Sequence, residues 1–273
     1  MTFDVHESDR PWAETVLLSS GLGGAAGYWA PQLAALKRRY RVITYDQTGT
    51  GRARSTELSV GHSISDMADK VIEILDATDT ESCHFVGHAL GGLIGLDLAA
   101  RMPDRLQSLS VVNGWAVADA HTRRCFEIRL ALLKQAGIEA YVRAQPIFLY
   151  PAAWLAANEA RMVQEDAHAL AGFQGVNNLI RRIEALLRFD ASAYLPDLKL
   201  PVLLVAAKDD VLVPYTQSER LSQALDGGVL RIGAWGGHAM NVTDPERFNA
   251  VLLDFLAAHA GGGTIVPFGR LAQ

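Results

Sequence analysis

The sequence predicts an α/β fold, a mostly parallel twisted sheet flanked by helices, with a helical insertion. Three observations predict it. Short apolar runs bounded by glycine or proline alternate with stretches of helical periodicity through the first 115 residues. From about residue 115 to residue 190 no convincing strand occurs and the patterns are helical. The alternation then resumes at "KLPVLLVAAKDD". Strand–helix alternation of this kind favours parallel strands buried on both faces.

The elements follow in order. "TVLLSS" at residues 15–20 is an apolar run that enters the glycine-rich "GLGGAAG", as a buried strand entering a loop would. "YWAPQLAALKRRY" has helical spacing, and "RVITYD" (Arg41–Asp46) is strand-like again. Gly49, Gly51 and their small neighbours make a loop. "SISDMADKVIEILDAT" is a helix with Ser63 or Ser65 as its N-cap. "SCHFVGH" is a strand, "LGGLIGLDLAARMP" a helix stopped at Pro103, and "LQSLSVVNG" a strand. "TRRCFEIRLALLKQ", "IEAYVRAQPIF", "ANEARMVQEDAHALAGF" and "VNNLIRRIEALLRF" read as helices, most simply a cap over one edge of the sheet. "TQSERLSQALDG", "GVLRIGAWGGH" and "DPERFNAVLLDFLAAHA" then give helix, strand and helix. This divides the chain into a core of residues 1–115 and 191–273 and a cap of residues 116–190. The tail "GGGTIVPFGRLAQ" opens with three glycines and is expected to be flexible or loosely docked.

Bulk properties narrow the function classes. The chain has 273 residues, of which 49% are hydrophobic and 20% charged, enough for one large domain with a substantial core. A net charge of -5 gives no basic footprint for nucleic acid. The pairs Arg38/Arg39, Arg123/Arg124 and Arg181/Arg182 are short and scattered, as on solvated helix faces. No apolar run approaches the roughly 20 residues needed to span a bilayer, so no membrane partner is expected. The start, "MTFDVHESDRPWAE", is too acidic and polar for a secretory signal. Two cysteines, Cys83 and Cys125, make no disulfide framework and suit a reducing compartment, so a cytoplasmic location is expected.

Four stretches carry chemistry. In "FVGHALGG", Gly87 and Gly91 flank Ala89 at the spacing of a nucleophile elbow, the sharp strand-to-helix turn that presents a serine hydroxyl. With 24 glycines in the chain, chance alone supplies about two such pairs, so the weight comes from the surrounding strand–turn–helix pattern. In "SSGLGG", the loop that begins at Gly21 follows the first strong strand. The Leu22 N–H, with the Leu90 N–H after the elbow, would aim two donors where negative charge develops on oxygen; an ordinary glycine-rich turn is the plain alternative. In "LLVAAKDDVLVP", Asp210 fits the acid position best, four residues before Pro214, with Asp209 as the fallback. In "GGHAMNVTDPERFN", His238 sits on a glycine-flexible loop before a helix. An aspartate that orients one ring nitrogen leaves the other free for proton transfer. The chain order elbow, Asp, His belongs to one particular scaffold.

On those residues the chain resembles the α/β-hydrolase superfamily over essentially its whole length, with the cap between the sixth and seventh strands of that family's sheet. More closely, "SSGLGG", "YDQTGTG", "VGHALGG", "NGWAVADAHTRRCF", "AQPIFLYPA", "FQGVNNLIRR" and "GGHAMNVTDPERFN" resemble the RutD-type hydrolases of pyrimidine utilisation. That resemblance implies hydrolysis of carbamate or aminoacrylate from uracil breakdown, both of which also decompose spontaneously. It also implies that alanine at the elbow is native to the family.

Ala89 has no oxygen, so an acyl-enzyme at that position is excluded. The main-chain donors survive the loss of a hydroxyl, and His238 with Asp210 can activate a water in the space it vacates. A small anionic substrate calls for a positive group, and "HTRRCFEIR" places Arg123, Arg124 and Arg129 on one helix, with a solvated face as the alternative for each. Cys125 stands beside two arginines that would lower its pKa and make it a substitute nucleophile; a structural cysteine is the alternative. His88 beside the elbow is expected to be structural. Trp115, Phe148, Trp154 and Trp235 either wall the pocket or pack in the core. His121 and His168 are too far apart for a metal motif, and "GLGGAAG" lacks the acid that would anchor a ribose, so no metal and no cofactor are expected. Asp46 pins its own loop instead. A homodimer is the expected assembly. Two other functions compete with the hydrolase: a cofactor-independent lyase or decarboxylase, and a ligand-binding protein with a retired site.

Overall fold

The computed structural model describes residues 2–260, so the glycine-led tail lies outside the described residues. The strands are β1 (Thr2–His6), β2 (Thr15–Ser19), β3 (Arg41–Asp46), β4 (Cys83–His88), β5 (Leu106–Val112), β6 (Val202–Ala207) and β7 (Val229–Gly233). They form one sheet in the order β1-β3-β2-β4-β5-β6-β7. Only β1 runs antiparallel, pairing Thr2 with Asp46 and His6 with Val42. The polar start of the sequence conceals this edge strand, although Phe3 and Val5 alternate with Asp4 and pack on the core.

Side-chain alternation along the strands feeds two apolar layers. Leu17, Ile43, Phe85 and Leu109 face α2 (Ile64–Ala77) and α3 (Leu90–Arg101). Val16, Leu18, Val42 and Val86 face α1 (Ala30–Lys37) and α10 (Pro245–Ala258). Of the two candidate caps for α2, Ser63 is the one used: it accepts from Asp66 N–H while the Asp66 carboxylate accepts from Ser63 N–H, closing a capping box.

The insertion lies between β5 and β6. The main chain leaves and re-enters the core side by side, where Val117 bridges Asp190 and Ala191 N–H donates to Ala116 at 3.0 Å. Its helices are α4 (Ala120–Leu149), α5 (Ala152–Ala157), α6 (Glu159–Ala171) and α7 (Val176–Arg188). Gly137, at φ 88°, breaks α4 into the two helices that its sequence suggests. After β6 come α8 (Thr216–Ala224) and the short α9 (Met240–Thr243). Among the described residues no helix is long and apolar enough to cross a membrane.

The sheet order places a switch point between β2 and β4. The chain leaves β2 toward β3 on one side, and β4 pairs with β2 on the other. A crevice opens beyond the carboxyl ends of strands at such a point, which is where open α/β sheets bind ligands.

Candidate active site

The elbow is built by backbone strain and close approach. Ala89 follows β4 at φ 47°, ψ -113°, a conformation that L residues rarely adopt, and its N–H is tied to Val112 O at 2.8 Å. Gly87 and Gly91 permit the turn: a Cβ on Gly87 would stand 2.3 Å from the Gly91 carbonyl, and one on Gly91 2.2 Å from Ser19 O. Leu90 opens α3, so its N–H has no acceptor one turn back. Across the crevice, the Leu22 N–H makes no hydrogen bond to protein among the described residues.

The loop that carries Leu22 is held from behind by a residue whose sequence pattern reads as a solvated helix face. Arg182, on α7, is fully buried, donates to the carbonyls of Gly21 and Leu22 at 3.4 and 3.3 Å, and also bonds Gln47 Oε1. No carboxylate lies within ion-pair distance of it among the described residues, and burial brings its pKa down to about 10. Asp46 ties the same region together, accepting from Ala26 N–H at 2.7 Å and from Arg52. The pair Arg181/Arg182 looked like a solvated face; a thirteen-residue amphipathic helix at 100° per residue puts only the first of them near solvent.

The two adjacent aspartates divide the work on the histidine loop. Asp210 Oδ2 lies 2.8 Å from His238 Nδ1, and its Oδ1 accepts from the N–H groups of Leu212 and Val213. Asp209 instead accepts from Gly236 and Gly237 N–H, fixing the turn that delivers His238. The His238 carbonyl accepts from Asn113 Nδ2 and from His88 Nε2, the latter at 2.7 Å. His88 thus carries its proton on Nε2, while Nδ1 faces Gly21 with no partner. Burial first, and the neighbouring His238 second, hold His88 well below the usual imidazole pKa. Asn113, another residue the sequence reading did not single out, sits at φ 51° just past β5.

These parts surround a cavity of about 800 Å³. Gly21, Leu22, Ala89, Leu90 and His238 all line it, and Asp210 stands behind His238. Arg123 and Arg124 do not line it: both are exposed, and Arg123 folds back onto Ala118 O. The inward arginine of that helix is Arg129, which is 4% exposed and lines the cavity. The correction follows from helical phase, since the face of α4 that buries Thr122, Cys125, Phe126 and Arg129 turns residues 123 and 124 outward. Cys125 is buried but does not line the cavity, and burial pushes its thiol up rather than down, against a nucleophilic role. Of the four candidate wall aromatics, Trp115 lines the cavity and Phe148, Trp154 and Trp235 do not. Among the described residues no group of three His, Cys, Asp or Glu side chains is placed to hold a metal ion.

Fold and crevice together define an enzyme of the α/β-hydrolase class. Residues 16–251 match the alpha/beta hydrolase family, to which the chain belongs. Within it the chain is a RutD-type hydrolase. It is 50% identical to the Agrobacterium fabrum protein named "Putative carbamate hydrolase RutD", over 94% of this chain and 98% of that one. It is 48% identical to the Rhizobium rhizogenes protein of the same name, over 95% and 99%. Among solved structures, a hydrolase from Pseudomonas aeruginosa superposes with a TM-score of 0.83 at 25% identity, each chain covered to 94%. The enol-lactonase from Burkholderia xenovorans shares the fold at a TM-score of 0.84 and 23% identity, over 93% of this chain and 95% of that one.

Proposed function

We propose that this hydrolase accelerates breakdown of a small, unstable carbamate or aminoacrylate by water addition, without a serine nucleophile. The observation that carries the reading is the 2.8 Å His238–Asp210 pair, kept beside an elbow whose central residue is alanine. Asp210 fixes the imidazole with Nδ1 protonated, so Nε2 is the basic nitrogen. A water above Ala89 gives its proton to Nε2 as its oxygen bonds the substrate carbon. Leu22 and Leu90 N–H receive the charge that develops on oxygen. His238 then returns the proton to the departing nitrogen. Carbamate plus water yields bicarbonate and ammonia by these steps. Aminoacrylate first tautomerises to its imine, the alkene carbon gaining the proton that nitrogen gives up. Water then adds at the imine carbon, nitrogen takes the proton relayed by His238, and the carbinolamine loses ammonia to leave the corresponding oxo acid.

Anion-hole donors and binding alone retain roughly 10³–10⁴-fold catalysis in serine hydrolases stripped of triad members. That is little for a peptide and ample for a substrate that already decomposes unaided. Ammonia release from carbamate and from freshly generated aminoacrylate tests the reading. His238→Ala is expected to lower the rate by roughly 10²-fold or more, and an unchanged rate would falsify water activation by this residue. Ala89→Ser is expected to give an acyl burst with an activated ester, because the remaining partners are in place. Binding without turnover in the unsubstituted protein would favour a receptor instead.

A further inference from the structure

The cavity is much larger than a carbamate requires. A water molecule occupies about 30 Å³ in the liquid, and a carbamate ion displaces only a few. The cavity holds about 800 Å³, within the range that encloses drug-sized ligands. Its core side is polar at the Leu22 and Leu90 amides and at His238. Its cap side presents apolar Phe126, Leu149 and Leu186 near Arg129, and a polar stretch of Tyr150, Arg161, Gln164, Glu165 and His168.

Arg129 is a buried cation without a counter-charge. Its guanidinium carbon lies 4.9 Å from the Phe126 ring centre, 5.6 Å from that of Phe148 and 5.7 Å from that of Tyr141. Nη2 donates to the Tyr141 hydroxyl at 3.2 Å and to Gln145 Oε1. Nε is buried with no hydrogen-bond partner, and Nη1 has none among the described residues. No carboxylate among those residues comes within ion-pair distance. Glu165, the acid that lines the same cavity, is already held by Arg161 at 2.7 Å and the Tyr150 hydroxyl at 2.9 Å. Two other cavity-lining residues have buried donors without partners, Ser20 at Oγ and Trp115 at Nε1. A desolvated positive charge is strongly unfavourable unless an anion meets it. Aromatic faces stabilise a guanidinium but leave its N–H edge unsatisfied.

We propose that Arg129 is the receptor for a carboxylate carried by the substrate. Beyond the carbamate or aminoacrylate proposed above, the further substrate class this seat admits is an acyl or carbamoyl compound with an apolar spacer between its carboxylate and the scissile carbonyl. The seat of the carbonyl, at Leu22 and Leu90, rests on the function proposed above; the seat of the carboxylate does not. In hydrolysis the water oxygen bonds the carbonyl carbon, the C–N or C–O bond breaks, and the proton taken by His238 passes to the leaving atom.

Calorimetric titration of the full chain with acetate, butanoate, hexanoate and hexanamide tests this. Affinity is expected to rise from acetate to hexanoate, and hexanoate to bind more tightly than hexanamide. Arg129→Gln should weaken hexanoate binding by about tenfold or more while hardly changing hexanamide, and Arg129→Lys should recover part of the loss. Equal affinity for acetate and hexanoate removes the spacer. Equal hexanoate binding by the unsubstituted and Arg129→Gln proteins, both folded by circular dichroism, removes the receptor. Should Arg129→Gln not fold, the preference of the unsubstituted protein for hexanoate over hexanamide decides. The same ranking is expected in the His238→Ala background, so the outcome does not depend on whether that imidazole activates water.

Discussion

Gly91, under the elbow, and Gly137, in the cap, are both glycines of necessity, and their reasons differ. At Gly91 the backbone of α3 presses on the end of β2, and there is no room for a Cβ within 2.2 Å of Ser19 O. At Gly137 nothing lies within 4 Å, and only the φ of 88° disfavours a side chain. The core side of the cavity is therefore built from backbone contacts that admit no adjustment. The cap side hangs its chemistry on side chains above helices such as α6, in which no residue is fully buried. The proposed aiming of the Leu22 and Leu90 N–H groups needs the first kind of construction. A wall that selects substrates tolerates the second.

The largest expected effect separates the two. Gly91→Ala should lose about 3 kcal/mol or more of unfolding free energy, because the atoms it meets are backbone. Gly137→Ala should lose about 2 kcal/mol, the cost of holding alanine at a positive φ with extended ψ, a region that is essentially glycine-only. Urea titrations of both variants check this. Equal losses would mean that the elbow is no tighter than the cap, and the comparison would break.

Arg182 is one of the places where the regions touch, and it carries the intermediate effect. Arg182→Met removes a desolvated charge, which offsets part of the damage, but leaves the Gly21 and Leu22 carbonyls short of donors. A loss of about 2 kcal/mol in stability is expected. Turnover should fall roughly tenfold with KM retained, since the loosened loop acts on the transition state more than on the bound substrate. Arg182→Lys should restore part of kcat. A fall in stability with kcat untouched would confine Arg182 to packing.

The core was readable from sequence because its signals are local. A buried parallel strand is a short apolar run, and the elbow is a fixed glycine spacing between a strand and a helix. Leu22, Ala89, Leu90, Asp210 and His238 were each named from such patterns, and the fold sets their neighbours. The cap was legible as helices but not as faces. A helix with Arg at 123, 124 and 129 offers three inward candidates, and the phase that selects Arg129 depends on where α4 rests against the core. Arg182 escapes the local pattern for the same reason, since its partners include carbonyls 160 residues away. Asn113 and His88 serve His238 through its backbone carbonyl, a contact that no side-chain motif announces. β1 was missed because three polar residues in five mask a half-buried alternation.

The smallest expected effect sharpens the contrast within the cap itself. Arg123 and Arg124 point into solvent beside an inward Arg129 on the same helix. Exposed arginines contribute little through long, screened interactions, so Arg124→Ala should change stability by no more than about 0.5 kcal/mol and leave turnover unaltered. Arg123→Ala also gives up the 3.1 Å bond to Ala118 O, made near the neck through which the cap leaves the sheet. Its loss should be slightly larger, and it should fall on stability alone. If either variant weakened substrate binding as strongly as Arg129→Gln, the outer face of α4 would have to reach the cavity during turnover. The division between an aiming core and a selecting cap wall would then have to include motion of the cap.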